Sequence, residues 1–236
     1  MALVLFNNLS EKDKSNAIEN LITESTPRQD FFLMMILSVL MATFGLLINN
    51  TAVIIGSMLI APILYPILSL SLGIVMADFK LISRSFYTLL KSMVFGIAAA
   101  ALIALFFAQG YETSLVEPSL IYVMIAIIAG LAASFALIKP QLSETLPGIA
   151  ISVTLIPPLA ATGIGIAKFD WNLISNSFVL FMVNAIGIIF ASMIVFSLMH
   201  LYIKRVEARK VIKKEEKAVK QEKENAEKEK EKNSSL

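Results

Sequence analysis

The 236-residue chain is 57% hydrophobic and only 16% charged, against about 45–50% and about 25% in soluble domains. Of its 20 Lys and Arg, 12 fall between Lys204 and Lys232 with 8 of the 18 acids, so the first 203 residues hold only 8 basic and 10 acidic groups. That is too little charge to coat a globule of this size; the chain must dissolve in lipid, and a conventional soluble enzyme is excluded. There is no cysteine and one histidine, His200, which excludes a disulfide framework, thiolate chemistry and an imidazole cluster. No catalytic residue, metal or cofactor is expected. Nucleic-acid binding is excluded too, because the only basic region is an acid-laced tail rather than a face of a folded domain.

In chain order, Ala2–Phe6 is too short an apolar stretch for a signal peptide. Ser10 with Asp13 three residues on marks a helix start, and Ala17, Ile18, Leu21 and Ile22 form an apolar stripe. This lead-in, residues 1–30, is expected to lie along the membrane surface. Six segments are long and apolar enough to span a bilayer core of about 30 Å: 31–48, 52–76, 85–108, 119–138, 148–168 and 173–203. The last exceeds the core and is expected to run on into the cytoplasm. Lys12, Lys14 and Arg28 before the first span, Lys80 and Arg84 after the second, Lys139 after the fourth and the basic tail outweigh Lys168 alone on the other side. The excess of Lys and Arg on one side puts both termini in the cytoplasm. In a competing topology, 52–76 and 148–168 are re-entrant hairpins, which would place Lys80, Arg84, Lys139 and Lys168 outside, against the charge rule.

The membrane region reads as a duplication. Leu40–Leu47 matches Leu131–Ile138, Ser57–Leu64 matches Ser152–Leu159 with Pro62 on Pro157, and Asp78–Phe86 matches Asp170–Phe178, at offsets of 91, 95 and 92. Three matches in the same order give two units, 31–108 and 119–203, joined by a loop at 109–118. Each unit has three spans, an odd number, so the second must enter from the opposite side as an inverted repeat. The expected fold is therefore all-α: a polytopic membrane protein of about six transmembrane helices, arranged as two inverted three-helix repeats with proline-broken middle helices.

Those breaks carry the expected function. Pro62 and Pro66 in the first copy, and Pro157 and Pro158 in the second, lack an N–H and clash with the carbonyl four residues earlier. Unpartnered carbonyls in hydrocarbon cost several kcal/mol each, and Ser57, Tyr65, Ser69, Ser152, Thr154 and Thr162 are close enough in sequence to satisfy them. Inverted repeats with discontinuous helices at the midplane recur in secondary transporters. The expected solute pathway is accordingly Ser57, Pro62, Tyr65, Pro66, Ser152, Thr154, Pro157 and Pro158, with Glu144 at a mouth. The competing reading is ordinary kinks. No ionisable residue sits near the centre of a span, so proton coupling through a buried carboxylate is not expected. Asp78 and Asp170 read as helix caps, Asn184 as an interhelical contact, and His200 as interfacial. The tail, 204–236, reads as a solvated Lys/Glu helix; its basic start, including Lys204, Arg205, Arg209 and Lys210, is a candidate contact for anionic lipid.

Gly45–Leu47 through Asn50, then Ala52–Pro62 and Pro66, resemble the signature of a prokaryotic membrane family known as domain of unknown function 389. Leu146–Ile151, Val153–Leu159 and Asp170–Trp171 resemble its second signature. The resemblance spans roughly 31–203 and implies a multi-pass protein of the prokaryotic plasma (inner) membrane. Many relatives carry a soluble domain before the first span, which the 30 residues here do not supply. No substrate follows from it. The first reading is a transporter or channel for a small ion or polar solute. The alternative is a non-transporting scaffold or sensor that assembles through packed kinks and its tail. The expected partners are the lipid bilayer, further copies in a homo-oligomer, and the solute.

Overall fold

The computed structural model describes residues 10–108, 119–139 and 146–234, with backbone alone for 146–154, 223 and 227–234. The described residues form helices and no strands: α1 Glu11–Glu24, α2 Gln29–Leu47, α3 Thr51–Ile60, α4 Leu64–Val75, α5 Phe79–Phe107, α6 Leu120–Ile138, α7 Leu146–Lys168, α8 Trp171–Leu198, and α9 Arg205–Ser234. Among them, α2, α5, α6 and α8 are each long and apolar enough to cross a membrane, and α3 with α4 would make a fifth span if the bent pair is one. These helices leave Leu33, Leu37, Leu102, Phe106, Ile128 and Phe190 exposed on the outside of the bundle. Such a belt would be an aggregation surface in water and is at home in lipid.

Three corners share one construction. Gly45, Gly73 and Gly165 are each followed, four residues on, by a left-handed residue: Asn49, Ala77 and Phe169, with φ of 50°, 49° and 56°. The next residue, Asn50, Asp78 or Asp170, donates its N–H to the glycine carbonyl at 2.8, 2.9 and 3.0 Å. Its side chain then caps the following helix: Asn50 accepts from Ala52 and Val53, Asp78 from Lys80 and Leu81, and Asp170 from Leu173. Each corner is a Schellman closure whose last residue is also the N-cap of the next helix. A Cβ on Gly73 or Gly165 would stand 3.0 or 2.9 Å from the backbone nitrogen of Ile82 or Ile174, so close approach, not turn geometry, selects glycine there. The two aspartates expected as caps are caps.

α2 packs on α3 and α5, while α6 packs on α7 and α8; α5 packs on α7, and α4 on α8. A small cluster of Leu47, Ala104, Ala108, Ile164 and Leu173 closes the end of the bundle where α2, α5 and α7 finish and α8 begins. The opposite end gathers the start of α2, the start of α5 and the tail. There Arg28 pairs with Glu215 at 2.5 Å and Lys80 with Glu216 at 2.6 Å. The segment from Thr51 to Val75 therefore carries the chain from one end of the bundle back to the other.

Three expectations change. The α1 stripe of Ala17, Ile18, Leu21 and Ile22 is buried inside the protein, with α1 against α4 and α9 rather than against lipid. The last span stops at Leu198; His200 turns left-handed at φ 57° and a short 3-10 turn, Leu201–Lys204, redirects the chain. The tail is not a free helix over its first half. Ala208 and Ile212 are fully buried, Glu215 nearly so, and α9 crosses the end of the bundle. Arg209 Nε donates to Asp78 Oδ2 at 2.6 Å, Arg205 donates to the Ala77 carbonyl at 2.7 Å, and Ser15 donates to Glu207 at 2.6 Å. Burial pushes the Asp78 carboxyl up, but the Arg209 guanidinium and the N–H groups of Leu81 and Lys80 outweigh it and hold the pKa below its ordinary 3.8. Glu207 is held below 4.5 by the Ser15 hydroxyl and then by Lys204, against partial burial.

Carboxyls held below their ordinary values bind protons less well in the docked state, so they favour docking above those values and lose that contribution as pH falls through the lowered pKa. With spin labels at Lys12 and Gln221, the distance distribution should be narrow at pH 7 and broaden below the carboxylate range. Asp78→Asn keeps the cap acceptor and removes the charge; it should weaken docking by about 1 kcal/mol and broaden the distribution at neutral pH. Packing yields a second expectation. A Cβ on Gly163 would meet the backbone at Ile97 O, 2.7 Å, and Ala101 N, 2.9 Å, whereas on Gly187 its nearest neighbour is the Ala126 methyl at 3.0 Å. Gly163→Ala should lose about 1–3 kcal/mol of stability in detergent unfolding and Gly187→Ala under about 1 kcal/mol.

Candidate functional site

The first break lies between α3 and α4. Pro62 disfavours the helical region for the residue before it, and Ala61 is extended at ψ 119°. The two helices meet at a bend of 51°. Pro66 contributes no break of its own. It is the third residue of α4, where its missing N–H would have had no partner within the helix. Part of the backbone around the break is satisfied locally. The Pro62 carbonyl accepts from Tyr65 N–H at 3.3 Å. The Ser57 carbonyl accepts the Ser38 hydroxyl of α2 at 2.7 Å, while the Ser57 hydroxyl turns back to the Ile54 carbonyl at 2.6 Å. Ser69 accepts from Ser85 at 2.9 Å across the α4–α5 interface.

Ser38 is a member of this site that the sequence reading missed. Its signal was there: between Phe31 and Ala42 it is the only hydroxyl in an otherwise apolar run. Such a residue in a membrane helix needs a partner.

The expected second break is absent. α7 runs as one helix from Leu146 to Lys168 with Pro157 and Pro158 inside it. The Thr162 hydroxyl donates to the Pro158 carbonyl at 2.8 Å, the ordinary bond of a helical threonine back to the carbonyl four residues earlier. Pro158 is buried and Pro157 partly so. The backbone of Ser152 and Thr154 is helical, but their side chains lie outside the described residues, as does Glu144 altogether.

The structure brings the two proline-bearing segments together, since α7 packs on both α3 and α4. Between them is an apolar seal of fully or almost fully buried Ile63, Leu64, Ile67, Leu155, Ile156 and Leu159. On the α1/α9 side of that seal is a cavity of about 280 Å³. It reaches Ile60 and Pro62 from a rim that includes Thr23, Glu24, Arg28 and Asp30. Arg28 is committed to Glu215, which leaves Glu24 and Asp30 as the carboxylates of the rim, with the Arg84 guanidinium donating to Thr26 at its edge. The sequence reading passed over both carboxylates because they lie in the lead-in, upstream of the first span; the packing of α1 on α4 brings Glu24 to the break, and that of α2 on α3 brings Asp30. Tyr65, next to the break, is half-buried.

The lipid candidates separate. Lys204 pairs with Glu11 and Glu207 at 3.2 and 3.1 Å, and Arg205 and Arg209 lean on Asp78 at 3.6 and 2.6 Å. Of the four, Lys210 alone has no carboxylate partner among the described residues. No cluster of three or more metal-binding side chains occurs among the described residues.

An uncharacterized protein of Methanocaldococcus jannaschii is 31% identical to this chain over 186 residues, 75% of this chain and 58% of that protein. The chain thus spans little more than half the length of that relative. No solved structure matches it. Residues 58–190, from the last turns of α3 through most of α8, match the family described as Domain of unknown function (DUF389), which covers both proline segments and the packing between them; the chain belongs to that family.

Proposed function

We propose that this protein crosses the prokaryotic plasma membrane six times, with both termini cytoplasmic, and passes a small ion or polar solute along the interface of α3, α4 and α7. The observation that carries the reading is the polar-rimmed cavity ending on Pro62. A break at a bilayer's depth that is reached by a charged mouth is what a permeation route requires and what a mere packing kink does not. The bent pair is read as one crossing. Helices of 10 and 12 residues joined at 51° advance about 30 Å at about 1.5 Å per residue, the thickness of a bilayer core. The α7 segment is read as the fixed wall and α3–α4 as its inverted counterpart. Glu24 and Asp30 favour a cation or a neutral polar solute over an anion. In this conformation the route is closed by the Ile/Leu seal, and transport requires a second state in which that seal parts.

The seal is also the observation that favours the alternative, a non-transporting scaffold whose kinks are simply packed. The chain has no native cysteine, so single thiols separate the two. Pro62→Cys should react with a membrane-impermeant thiol reagent from the cytoplasmic side. Ser57→Cys, on the far side of the break, should react at a rate at least about tenfold lower, and the rate should change when a transported solute is present. If Ser57→Cys reacts from neither side until the protein is denatured, while Pro62→Cys behaves as a blind pocket, the transport reading fails and the scaffold reading takes its place.

A further inference from the structure

The docked tail presents a second surface. The buried face of α9 is Ala208, Ile212 and Glu215; the opposite face is Val206, Lys210, Lys213, Lys217 and Lys220, at i, i+4, i+7, i+11 and i+14. Facing that stripe, from the start of α5, are Phe79 and Lys80. Two clefts of about 700 and about 660 Å³ lie between the elements and share Lys80, Lys210 and Lys213. The first is floored by apolar side chains: Phe79 is 85% exposed and Val206 68% exposed. The second is walled almost wholly by lysine.

The charges there do not cancel. Lys80 is held by Glu216 and the Asp78 carboxylate by Arg209. Lys210, Lys213 and Lys217 have no ion-pair partner among the described residues, although the sequence spacing offered Glu207 to Lys210; Glu207 instead serves Ser15 and Lys204. Like charges three and four residues apart weaken a helix, so this face is set against its own stability unless an anion sits on it. The apolar floor identifies which anion. Phe79 opens α5 at the edge of the membrane-crossing bundle, so a ligand that fits has its phosphate among the lysines and its glycerol and acyl carbons against Phe79 and Val206.

We propose that this cleft binds the headgroup of an anionic phospholipid of the bilayer, with Lys80, Lys210, Lys213 and Lys217 around the phosphate and Phe79 and Val206 under it. The site is independent of the permeation route: it lies on the outer face of α9, on the other side of that helix from α1. Arg205 and Arg209 position it by fixing α9 to the α4–α5 corner through Asp78; they are not the ligands that their place in the sequence suggests.

The test uses the full chain, delipidated in a neutral detergent, with short-chain phosphatidylglycerol and phosphatidylcholine as probes and bound lipid counted by native mass spectrometry. Wild type should retain phosphatidylglycerol selectively. Each lysine removed should weaken its binding about fivefold, so that Lys210→Gln/Lys213→Gln/Lys217→Gln loses on the order of 100-fold. Phosphatidylcholine should be unaffected, and the spin-label distance between α1 and α9 should be unchanged because none of the three touches α1. A second variant, Phe79→Ser/Val206→Ser, leaves every charge in place and should also lower phosphatidylglycerol binding. Inorganic phosphate at millimolar concentration should not displace the lipid. Equal retention of both lipids, an undiminished affinity in the triple-lysine variant, or displacement by free phosphate with no effect of the apolar variant would each overturn the assignment, the last in favour of a plain phosphate site.

Discussion

In hydrocarbon there is no water to complete a broken backbone, and the arrangement of α2, α3 and α4 follows from that constraint. Once Pro62 interrupts the helix, the carbonyls around it must be met by the protein. The Ser38 hydroxyl on α2 supplies the Ser57 carbonyl at 2.7 Å, and an unsatisfied group in its place would cost several kcal/mol. That single contact fixes the height of α2 against α3. Fixing α2 fixes where its first residues emerge, and so where Arg28 and Asp30 stand over the break.

Much of the architecture was legible because it is written in local chemistry. The Ser10–Asp13 start, the α1 stripe, the aspartate caps and the glycine positions each depend on residues within one or two turns, and periodicity or spacing reveals them. The Schellman corners went unread as a class because their left-handed residue is Asn, Ala or Phe. Without glycine at that position the usual cue is missing, and only the flanking pattern of glycine, aspartate or asparagine, and isoleucine repeats. The candidate site was legible in part. Pro62 and Ser57 announce a break, but Glu24 reaches it through the packing of α1 on α4 and Asp30 through the packing of α2 on α3, which no spacing encodes. Doubled prolines were equally ambiguous. Prolines four apart place one at the break and the other harmlessly in the next first turn, whereas adjacent prolines can share one disturbed turn of a helix that continues.

The tail shows the same limit from the opposite side. Its composition is that of a solvated helix, and fourteen of the sixteen residues beyond Lys220 are polar or charged by sequence. Yet three apolar or acidic positions, Ala208, Ile212 and Glu215, lie one turn apart and are enough to dock it. In a window that is otherwise Lys and Glu, their contribution to any hydrophobic pattern is small. What holds α9 is complementarity with Asp78, Lys80 and Arg28, residues far away in the chain, and pairings between distant charges are invisible to periodicity.

The two halves also diverge for a physical reason. Asp78 and Asp170 occupy matching corners and cap matching helices, but the corner of Asp78 lies at the end of the bundle crossed by α9, and that of Asp170 at the other. A single chain has one C-terminal tail and one N-terminal lead-in, and here both fold onto the same end. They give the first half a roof of ion pairs and a polar cavity over its break. Among the described residues the second half shows no matching roof, and its prolines lie inside a continuous helix. Similar corner sequences can therefore coexist with different surroundings at the two ends, because the lead-in and the tail need to satisfy charge and burial at one end only. That asymmetry gives the two sides of the Ile/Leu seal different electrostatics, with the rim of Glu24 and Asp30 and the lysine cleft both on the side where α9 lies.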